Sequence, residues 1–366
     1  MKKSHYKDNP LIGNYPKTKS QEENYTTEAL ASLLSYMVNN DRKFASRFLG
    51  LLTSSKFNLR NYNSTDVKIR TQVRTSKGTP DIEISTPDFL IYIEVKVEAR
   101  LNDNQIERYK SLLRHSGKSN SLLVLISKYR VWFYEEPDCY IRWLQIANWL
   151  EKEIANTKPS ATDILVSQFL DFLQYRYIIC TPVRKRISPS LRRYLQRQGE
   201  KSLAIPWMMR SSAIGDDPDL ASMRNLIDIM ALAIEKAYPN TRFAFNNNIG
   251  IMSRTLYGIG FGIDYMYYFF FKIRKPEFLI FTLSSDIYRT SASYRIDPTK
   301  FRGGVGKLLK YSGKSYWMNT LDLTEKNMSF FAKSLDEQVR ILSEFLKKSQ
   351  KALSRLLVEI EDYSVD

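Results

Sequence analysis

The sequence predicts a two-domain α/β protein, and three observations support this prediction. The chain has 366 residues, a length that is typical of two domains. It is 43% hydrophobic and 26% charged, so it can form ordinary hydrophobic cores and does not resemble a disordered chain. Helix-like and strand-like patterns of apolar residues follow one another along its first half.

The first predicted elements are two helices that follow a polar N-terminal segment. Residues 1–23 carry mixed charge and two prolines, which indicates an extended arm. Thr26 or Thr27 can cap a helix whose apolar positions continue through Met37. A second helix covers Phe44 to Leu52.

The next stretch predicts a hairpin and a long strand. Apolar and basic residues alternate over 67–74, a turn follows at 76–78, and 81–85 forms the returning strand. Residues 88–98 have the clearest strand pattern, with the odd-numbered apolar residues on one face. The other face carries Tyr92, Glu94, Lys96 and Glu98.

A helix is expected immediately after this strand. The polar tripeptide at 102–104 ends the strand and supplies a cap, and the helix runs from Gln105 to about Leu113. The remaining predicted elements of the first half are strands over 122–127 and 131–134 and helices over 141–154 and 163–177.

The composition changes in the second half of the chain. Basic residues cluster within 182–216, and the remainder predicts a helix, several aromatic strands and a long C-terminal helix from about Ser334. We therefore divide the chain into an arm over 1–23, a first domain over 24–158, a helical and basic linker over 159–216, and an α+β domain of unknown role over 217–366.

Charge and residue usage restrict the chemistry of the protein. The net charge of +16 favours a polyanionic partner, with nucleic acid ahead of an acidic membrane surface. Two cysteines and two histidines are too few for the usual zinc cage, and they argue against histidine-based nucleophilic catalysis. A metal site would therefore use oxygen ligands, which suit Mg²⁺ or Mn²⁺.

The same features indicate where the protein resides. Cys139 and Cys180 suit a reducing compartment and are expected to be small core residues. The N-terminus lacks a secretory signal, and the apolar run at 265–271 is too short to span a bilayer. We expect a cytoplasmic protein without a membrane partner.

A candidate site for phosphodiester hydrolysis lies between residues 78 and 109. Asp81 and Glu94 can supply carboxylate ligands to a divalent cation, and the Val95 carbonyl can add a backbone oxygen. Lys96 shares a strand face with Glu94, so its ammonium can reach an attacking water or the phosphate. Three other Pro-Asp pairs occur in the chain, so the signal lies in the combination of turn, strand and helix.

These residues resemble the PD-(D/E)xK nuclease superfamily, in particular the branch that is similar to the RecB nuclease domain. The motifs that carry the resemblance are Gly78-Thr79-Pro80-Asp81, Glu94-Val95-Lys96 and Gln105-Ile106-Glu107-Arg108-Tyr109. The resemblance covers roughly residues 24–150. It implies a restriction-endonuclease-like α-β-β-β-α-β core and a Mg²⁺-dependent nuclease.

The resemblance also implies roles for individual residues. Asp81, Glu94, the Val95 carbonyl and Glu28 of the first helix would hold metal, Lys96 would orient or activate water, and Gln105 and Tyr109 would line the cleft. Simpler alternatives remain for several of these residues. Tyr109 would then be a core aromatic, Gln105 a cap-region residue, Glu28 an ordinary first-turn acid, and His115 a surface residue. Glu83 and Glu98 are either extra ligands or rim charges.

The basic linker is a second candidate for function. It either binds phosphates, with a salt-dependent affinity, or is a solvated connection. Its basic residues are Arg184, Lys185, Arg186, Arg192, Arg193 and Arg197.

Three functions are compatible with these observations. The first is a Mg²⁺-dependent nuclease that acts on DNA rather than RNA, for example in bacterial restriction or phage defence, with a C-terminal domain that binds nucleic acid, a protein partner or a second copy. The second is an inactive nuclease-like protein that binds nucleic acid or assembles a complex. The third, a DNA-binding regulator, would require a helix-turn-helix, and the sequence contains no convincing one.

Overall fold

The computed structural model describes residues 9–13, 22–97, 104–128, 135–155, 159–184, 218–239, 258–260, 265–272, 278–284, 289–295, 306–311, 314–323 and 329–362. The chain forms two compact units, Met1–Ile179 and Cys180–Asp366. The helix at 161–175, which the sequence analysis assigned to the linker, lies within the first unit.

Six helices are described in the first unit. They are α1 (Pro10–Gly13), α2 (Glu22–Asn40), α3 (Arg42–Leu52), α4 (Gln105–Arg114), α5 (Trp143–Ala155) and α6 (Ala161–Tyr175). The predicted start of the first long helix is wrong. Helix α2 begins at Glu22, so Thr26 and Thr27 lie inside the helix, where both are fully buried.

Five strands form one mixed sheet in the first unit. They are β1 (Lys68–Thr71), β2 (Ile82–Ser85), β3 (Phe89–Lys96), β4 (Asn120–Ser127) and β5 (Cys139–Arg142), and they lie in the order β1-β2-β3-β4-β5. The pairs β1–β2 and β2–β3 are antiparallel, whereas β3–β4 and β4–β5 are parallel. This mixed α/β arrangement is consistent with the predicted restriction-endonuclease-like core.

A strand and then a helix follow β4 in the described part of the chain. Residues 131–134 lie outside the described residues, and the strand β5 occupies 139–142, where the sequence had predicted the start of a helix. Cys139 and Ile141 are buried and alternate with the half-buried Tyr140 and Arg142, which is strand periodicity. Helix α5 starts directly afterwards at Trp143.

The two faces of the sheet carry hydrophobic cores of different size. The odd-numbered residues of β3, including Ile91, Ile93 and Val95, pack with α2, α3, α5 and α6 in the larger core. A smaller core on the opposite face is formed by Leu90, Tyr92, Ile106, Tyr109, Leu113 and Leu123. Burial of each large apolar side chain stabilises the fold by roughly 1.5–3 kcal/mol, so these cores hold both faces of β3 in place.

An ion pair spans the first two strands on the face covered by α4. Arg70 of β1 lies opposite Glu83 of β2, and its guanidinium donates two hydrogen bonds to one Glu83 carboxylate oxygen. The Glu83 side chain is 6% exposed, whereas that of Arg70 is 58% exposed. Of the two roles predicted for Glu83, metal ligand or rim charge, its position favours a buried partner of Arg70.

The second unit contains two helices and six strands among its described residues. They are α7 (Pro218–Ala237), β6 (Gly258–Gly260), β7 (Tyr265–Lys272), β8 (Phe278–Ser284), β9 (Arg289–Arg295), β10 (Lys307–Tyr311), β11 (Lys314–Asp322) and α8 (Leu335–Asp362). The strands form an antiparallel sheet in the order β10-β11-β9-β8-β7-β6, and α7 packs against α8. None of the described helices of either unit has the length and apolar character needed to cross a membrane.

The Arg70–Glu83 pair is expected to matter because one partner is buried. Replacing Arg70 with alanine should lower the free energy of unfolding by about 1–3 kcal/mol, since Glu83 would remain buried without its cation. Urea denaturation measures this change. The double variant Arg70→Ala/Glu83→Gln should recover most of this stability, because a neutral amide is easier to bury than a carboxylate. Equal destabilisation in both variants would show that the ion pair is not the cause.

Candidate active site

Strand pairing brings the carboxylates of Asp81, directly before β2, and Glu94 of β3 side by side. The backbone N–H of Gln72 donates to the carbonyl oxygen of Asp81 at 3.0 Å, which extends the β1–β2 ladder by one residue. Ile82 pairs with Ile93 in the β2–β3 ladder, so Asp81 lies opposite Glu94 one position further on. The sheet register alone therefore places Gln72, Asp81 and Glu94 in one row across three strands.

Asp81 is held by two hydrogen bonds, one to each carboxylate oxygen. Its Oδ2 accepts from the backbone N–H of Val95 at 2.8 Å, and its Oδ1 accepts from the side-chain amide of Gln72 at 3.0 Å. Burial raises the pKa of Asp81, and the hydrogen bonds and the nearby Lys96 charge oppose this effect. The carboxylate is thus fixed in orientation, and each oxygen keeps a second lone pair for another partner.

Glu94 is the most deeply buried acid of the row, at 2% exposure. Its Oε1 accepts from the ammonium of Lys96 and from the amide of Gln105, both at 2.6 Å. Its Oε2 is buried and has no hydrogen-bond partner among the described residues. Burial, and secondly the charge of Asp81, raises the pKa of Glu94 to about 7. A buried oxygen of this kind usually costs about 1–3 kcal/mol unless it finds a partner.

Lys96 lies next to Glu94 with only 11% of its side chain exposed. Burial acts to lower the pKa of Lys96, but the carboxylates of Glu94, Glu23 and Asp81 together outweigh this effect and raise it. The lysine is therefore held as an ammonium among three acids. It can donate hydrogen bonds to an anionic group without first taking up a proton.

Helix α4 connects the predicted motifs to one another. Its first residue, Gln105, is buried against Glu94, and its side-chain amide lies 3.4 Å from the hydroxyl of Tyr109 one turn later. Tyr109 is itself buried and packs its ring edge-on against Tyr92, with the centroids 6.3 Å apart. Gln105 thus contacts a carboxylate of the site. Tyr109 packs in the smaller core, which is the simpler of the two roles that the sequence analysis considered for it.

The glycine of the turn is required by its contact with the same tyrosine. Gly78 has a φ of +143°, a conformation that L side chains rarely adopt. A Cβ at this position would lie 3.1 Å from a ring carbon of Tyr109. The turn before Asp81 and the helix after Glu94 therefore pack directly against each other, so all three motifs belong to one site.

Glu23 of α2 is an acid that approaches the site. Its carboxylate accepts from the backbone N–H of Val97 at 2.9 Å, and its charge acts on Lys96. Glu28, which the resemblance had implied, is exposed to solvent. Glu23 and Glu28 are five residues apart, and this spacing places them about 140° apart around the helix axis, so they cannot share a face. Sequence reasoning missed Glu23 because it started this helix too late, after residue 25.

The other predicted residues lie elsewhere or outside the described part of the chain. In the second unit, Arg184 donates to the carbonyl oxygens of Ala332 and Lys333, both at 3.1 Å. The residues Glu98, Lys185, Arg186, Arg192, Arg193 and Arg197 lie outside the described residues. His115 is exposed, and Cys139 and Cys180 are buried, as predicted.

The row of acids has the donor set of a hard cation. No group of three or more His, Cys, Asp and Glu side chains suited to a metal occurs in the described ranges. Mg²⁺ commonly binds through one or two carboxylates and retains several waters, so the pair Asp81 and Glu94 is sufficient for it. The partnerless Glu94 Oε2 is the observation that supports the fit, because a cation there would satisfy it.

Comparison with known families agrees with this geometry. Residues 15–171 match the family model of the PD-(D/E)XK nuclease superfamily. The matched region contains Glu23, Asp81, Glu94, Lys96 and Tyr109, and it extends beyond residues 24–150 at both ends. No curated protein and no solved structure matches the chain. The superfamily predicted from the three motifs is thereby confirmed for residues 15–171.

The raised pKa of Glu94 predicts a specific pH dependence of stability without metal. Between pH 4.5 and about 7 the folded protein holds a proton on Glu94 that the unfolded chain has released. The free energy of unfolding should therefore decrease as the pH rises through this range, by up to about 3 kcal/mol, and this contribution should then level off.

Urea denaturation in EDTA at a series of pH values measures this effect. The informative quantity is the difference between the wild type and Glu94→Gln, because the variant lacks the titrating group and cancels other contributions. A difference that stays constant from pH 4.5 to about 8 would contradict the assignment.

Proposed function

Because residues 15–171 form a domain of the PD-(D/E)XK nuclease superfamily, we propose that this protein is a metal-dependent nuclease that hydrolyses phosphodiester bonds in DNA. The proposal depends chiefly on two adjacent acids, the half-buried Asp81 and the buried Glu94, whose Oε2 lacks a hydrogen-bond partner among the described residues. A fold that only bound nucleic acid would have no use for two adjacent acids whose ionisation is opposed by their surroundings.

The residues of the site fit a divalent cation, which we propose to be Mg²⁺, with Mn²⁺ as a substitute. Asp81, Glu94 Oε2 and the Val95 carbonyl would hold it. The bound cation would polarise the phosphoryl group and lower the pKa of a coordinated water. Gln72 and the Val95 N–H orient Asp81, while Gln105 and Lys96 bind Oε1 of Glu94 and leave Oε2 available.

Lys96 is the residue that we assign to the anionic substrate. Its ammonium lies 2.6 Å from Glu94 Oε1, directly beside the proposed metal position. From there it can donate to the attacking water or to a phosphate oxygen and stabilise the charge that develops in the transition state. Glu94, and after it Glu23, raises the pKa of this lysine and so favours its charged form. Glu23 also accepts a hydrogen bond from the Val97 N–H, which connects α2 to the end of β3. Gln105 and Tyr109 support assignment to the RecB-like branch of the superfamily.

The substrate and the cellular role are proposed from the charge and the domain composition of the chain. The net charge of +16 favours a polyanion, and DNA is our first choice ahead of RNA. The basic residues around 184–197 would add contacts to nucleic acid, and the second unit would bind a protein partner or a second copy. Cytoplasmic restriction or phage defence suits a nuclease domain with an appended unit, by analogy.

The alternative is a nuclease-like protein that binds nucleic acid without cutting it. The contacts of Lys96 and Gln105 with Glu94 speak against this alternative, because a binding surface does not need them. We therefore rank it second.

The nuclease proposal predicts a strong decrease in activity from two single substitutions. Asp81→Ala and Lys96→Ala should each reduce plasmid degradation in Mg²⁺ by at least about 100-fold, because they remove a metal ligand and a charge donor. Glu151→Ala and Lys152→Ala are matched controls, since both residues are exposed on α5, on the other face of the sheet. They should leave the rate unchanged.

Two results would count against the proposal. Cleavage that survives both site substitutions would show that the site is elsewhere. A folded wild-type protein that binds nucleic acid but cuts neither DNA nor RNA, in Mg²⁺ or in Mn²⁺, would favour the binding alternative.

Glu23 and Glu28 of α2 provide an internal test of the site geometry. Glu23→Gln should lower the cleavage rate about tenfold or more, because it removes a charge that acts on Lys96 and weakens the hydrogen bond with Val97. Glu28→Gln should change the rate less than twofold, since Glu28 is exposed and lies on another side of the helix. Cleavage rates of the two variants, measured at the same metal concentration, show which glutamate belongs to the site. The reverse order of effects would restore Glu28 as the site residue.

A further inference from the structure

The β1–β2 hairpin carries three exposed basic residues. They are Lys68, Arg74 and Lys77, and we call them the basic edge. Arg74 and Lys77 lie in the turn that follows Gln72, whereas Lys68 lies at the other end of β1, opposite Ser85. None of the salt bridges formed within the described ranges involves any of the three. Strand β1 has β2 as its single neighbour in the described sheet, so the basic edge lies along the border of the domain.

Arg70 is not part of this surface although it is exposed. Its guanidinium is bound to the buried carboxylate of Glu83, so its charge is already compensated. On α4, the exposed neighbours Glu107 and Arg108 cancel in formal charge. Lys110 and Arg114 of α4 form salt bridges with Glu135. Among the described residues of the hairpin and α4, the positive charge that no salt bridge compensates therefore comes from the basic edge.

Hydrogen bonds connect the hairpin that carries this charge to Asp81 and to α4. Gln72 has a left-handed φ of +50°, which ends β1, and its amide donates to Asp81. Thr75 closes the hairpin with a backbone hydrogen bond to Gly78 at 2.9 Å. The ammonium of Lys77 donates to the hydroxyl of Ser111 on α4 at 2.6 Å.

These contacts leave the hairpin little freedom relative to Asp81. Gly78 also packs against the Tyr109 ring, so the turn is held from both sides. A charged surface that is already ordered gives up less conformational entropy when it binds a ligand. Arg74 and Lys77 are therefore suited to hold a phosphate backbone at a constant position relative to the site.

We propose that the basic edge binds the sugar-phosphate backbone of the nucleic acid next to the bond that is cut. The proposal rests on the proposed function and assigns part of its substrate-binding surface. An acidic protein is a poorer fit, because protein interfaces need apolar anchors. Ile164 on α6 is the one large hydrophobic residue that the described chain exposes, and it lies outside the hairpin. The proposed hydrogen bonds are made to phosphates, so they carry no sequence preference.

The test compares two double variants of the full chain. Arg74→Gln/Lys77→Gln removes both charges of the turn and keeps a polar side chain at each position. Lys43→Gln/Lys152→Gln removes the same charge from exposed positions on α3 and α5, on the other face of the sheet. Binding of a fluorescein-labelled DNA duplex is followed by anisotropy in Ca²⁺ at several salt concentrations, and a denaturing gel verifies that the probe stays intact.

The hairpin variant should bind the duplex about 10- to 30-fold more weakly near physiological salt. Its plot of log affinity against log salt concentration should have a slope that is shallower by about 2, because each neutralised side chain leaves one phosphate unbound. The decrease in affinity should be the same for two duplexes of unrelated sequence. The control variant should bind as the wild type does, and thermal unfolding should show that both variants are folded.

The failures of the two proposals are distinguishable. If the wild type binds neither DNA nor RNA, the proposed function fails, and this inference fails with it. If the wild type binds and cuts but the hairpin variant keeps its affinity and salt slope, only the basic edge is overturned. Polyglutamate serves as a model of an acidic protein partner. If the hairpin variant loses binding to polyglutamate but keeps its binding to nucleic acid, the surface belongs to an acidic protein partner and the inference is wrong.

Discussion

The first unit is organised around two adjacent carboxylates, the half-buried Asp81 and the buried Glu94. Two acids and one nearby ammonium leave an excess of negative charge in a place that water does not reach freely. Such an arrangement opposes folding unless the surrounding groups orient the acids and reduce their repulsion. The amides of Gln72 and Gln105 and the N–H of Val95 do so by donating to them.

The scaffold keeps these donors in place through packing on both faces of β3. The larger core fixes the apolar side of the strand, and the small core under α4 brings that helix against the polar side. Gly78 and Tyr109 join the turn before Asp81 to the same helix. The site is therefore supported by regular elements, which suits a reaction that requires side chains within a fraction of an ångström of their working positions.

Much of this arrangement is predictable from the sequence because strand periodicity is short and strict. Alternation over 88–98 is enough to place Glu94 and Lys96 on one face. Helix boundaries are less strictly encoded, and the predicted start of α2 was wrong because buried threonines resembled caps, which concealed Glu23. Gln72 could not be found at all, since its hydrogen bond to Asp81 depends on the register of three strands and on a left-handed backbone.

The position of β1 at the border of the sheet has a consequence for the solubility of the protein. An edge strand exposes backbone donors and acceptors that can pair with the edge of another molecule, which is a common route to aggregation. Lys68 is exposed on β1, and a second copy that paired with this edge would have to bring a like charge close to it. The charge of Lys68 thus acts against strand-to-strand association at high protein concentration, apart from any interaction with nucleic acid.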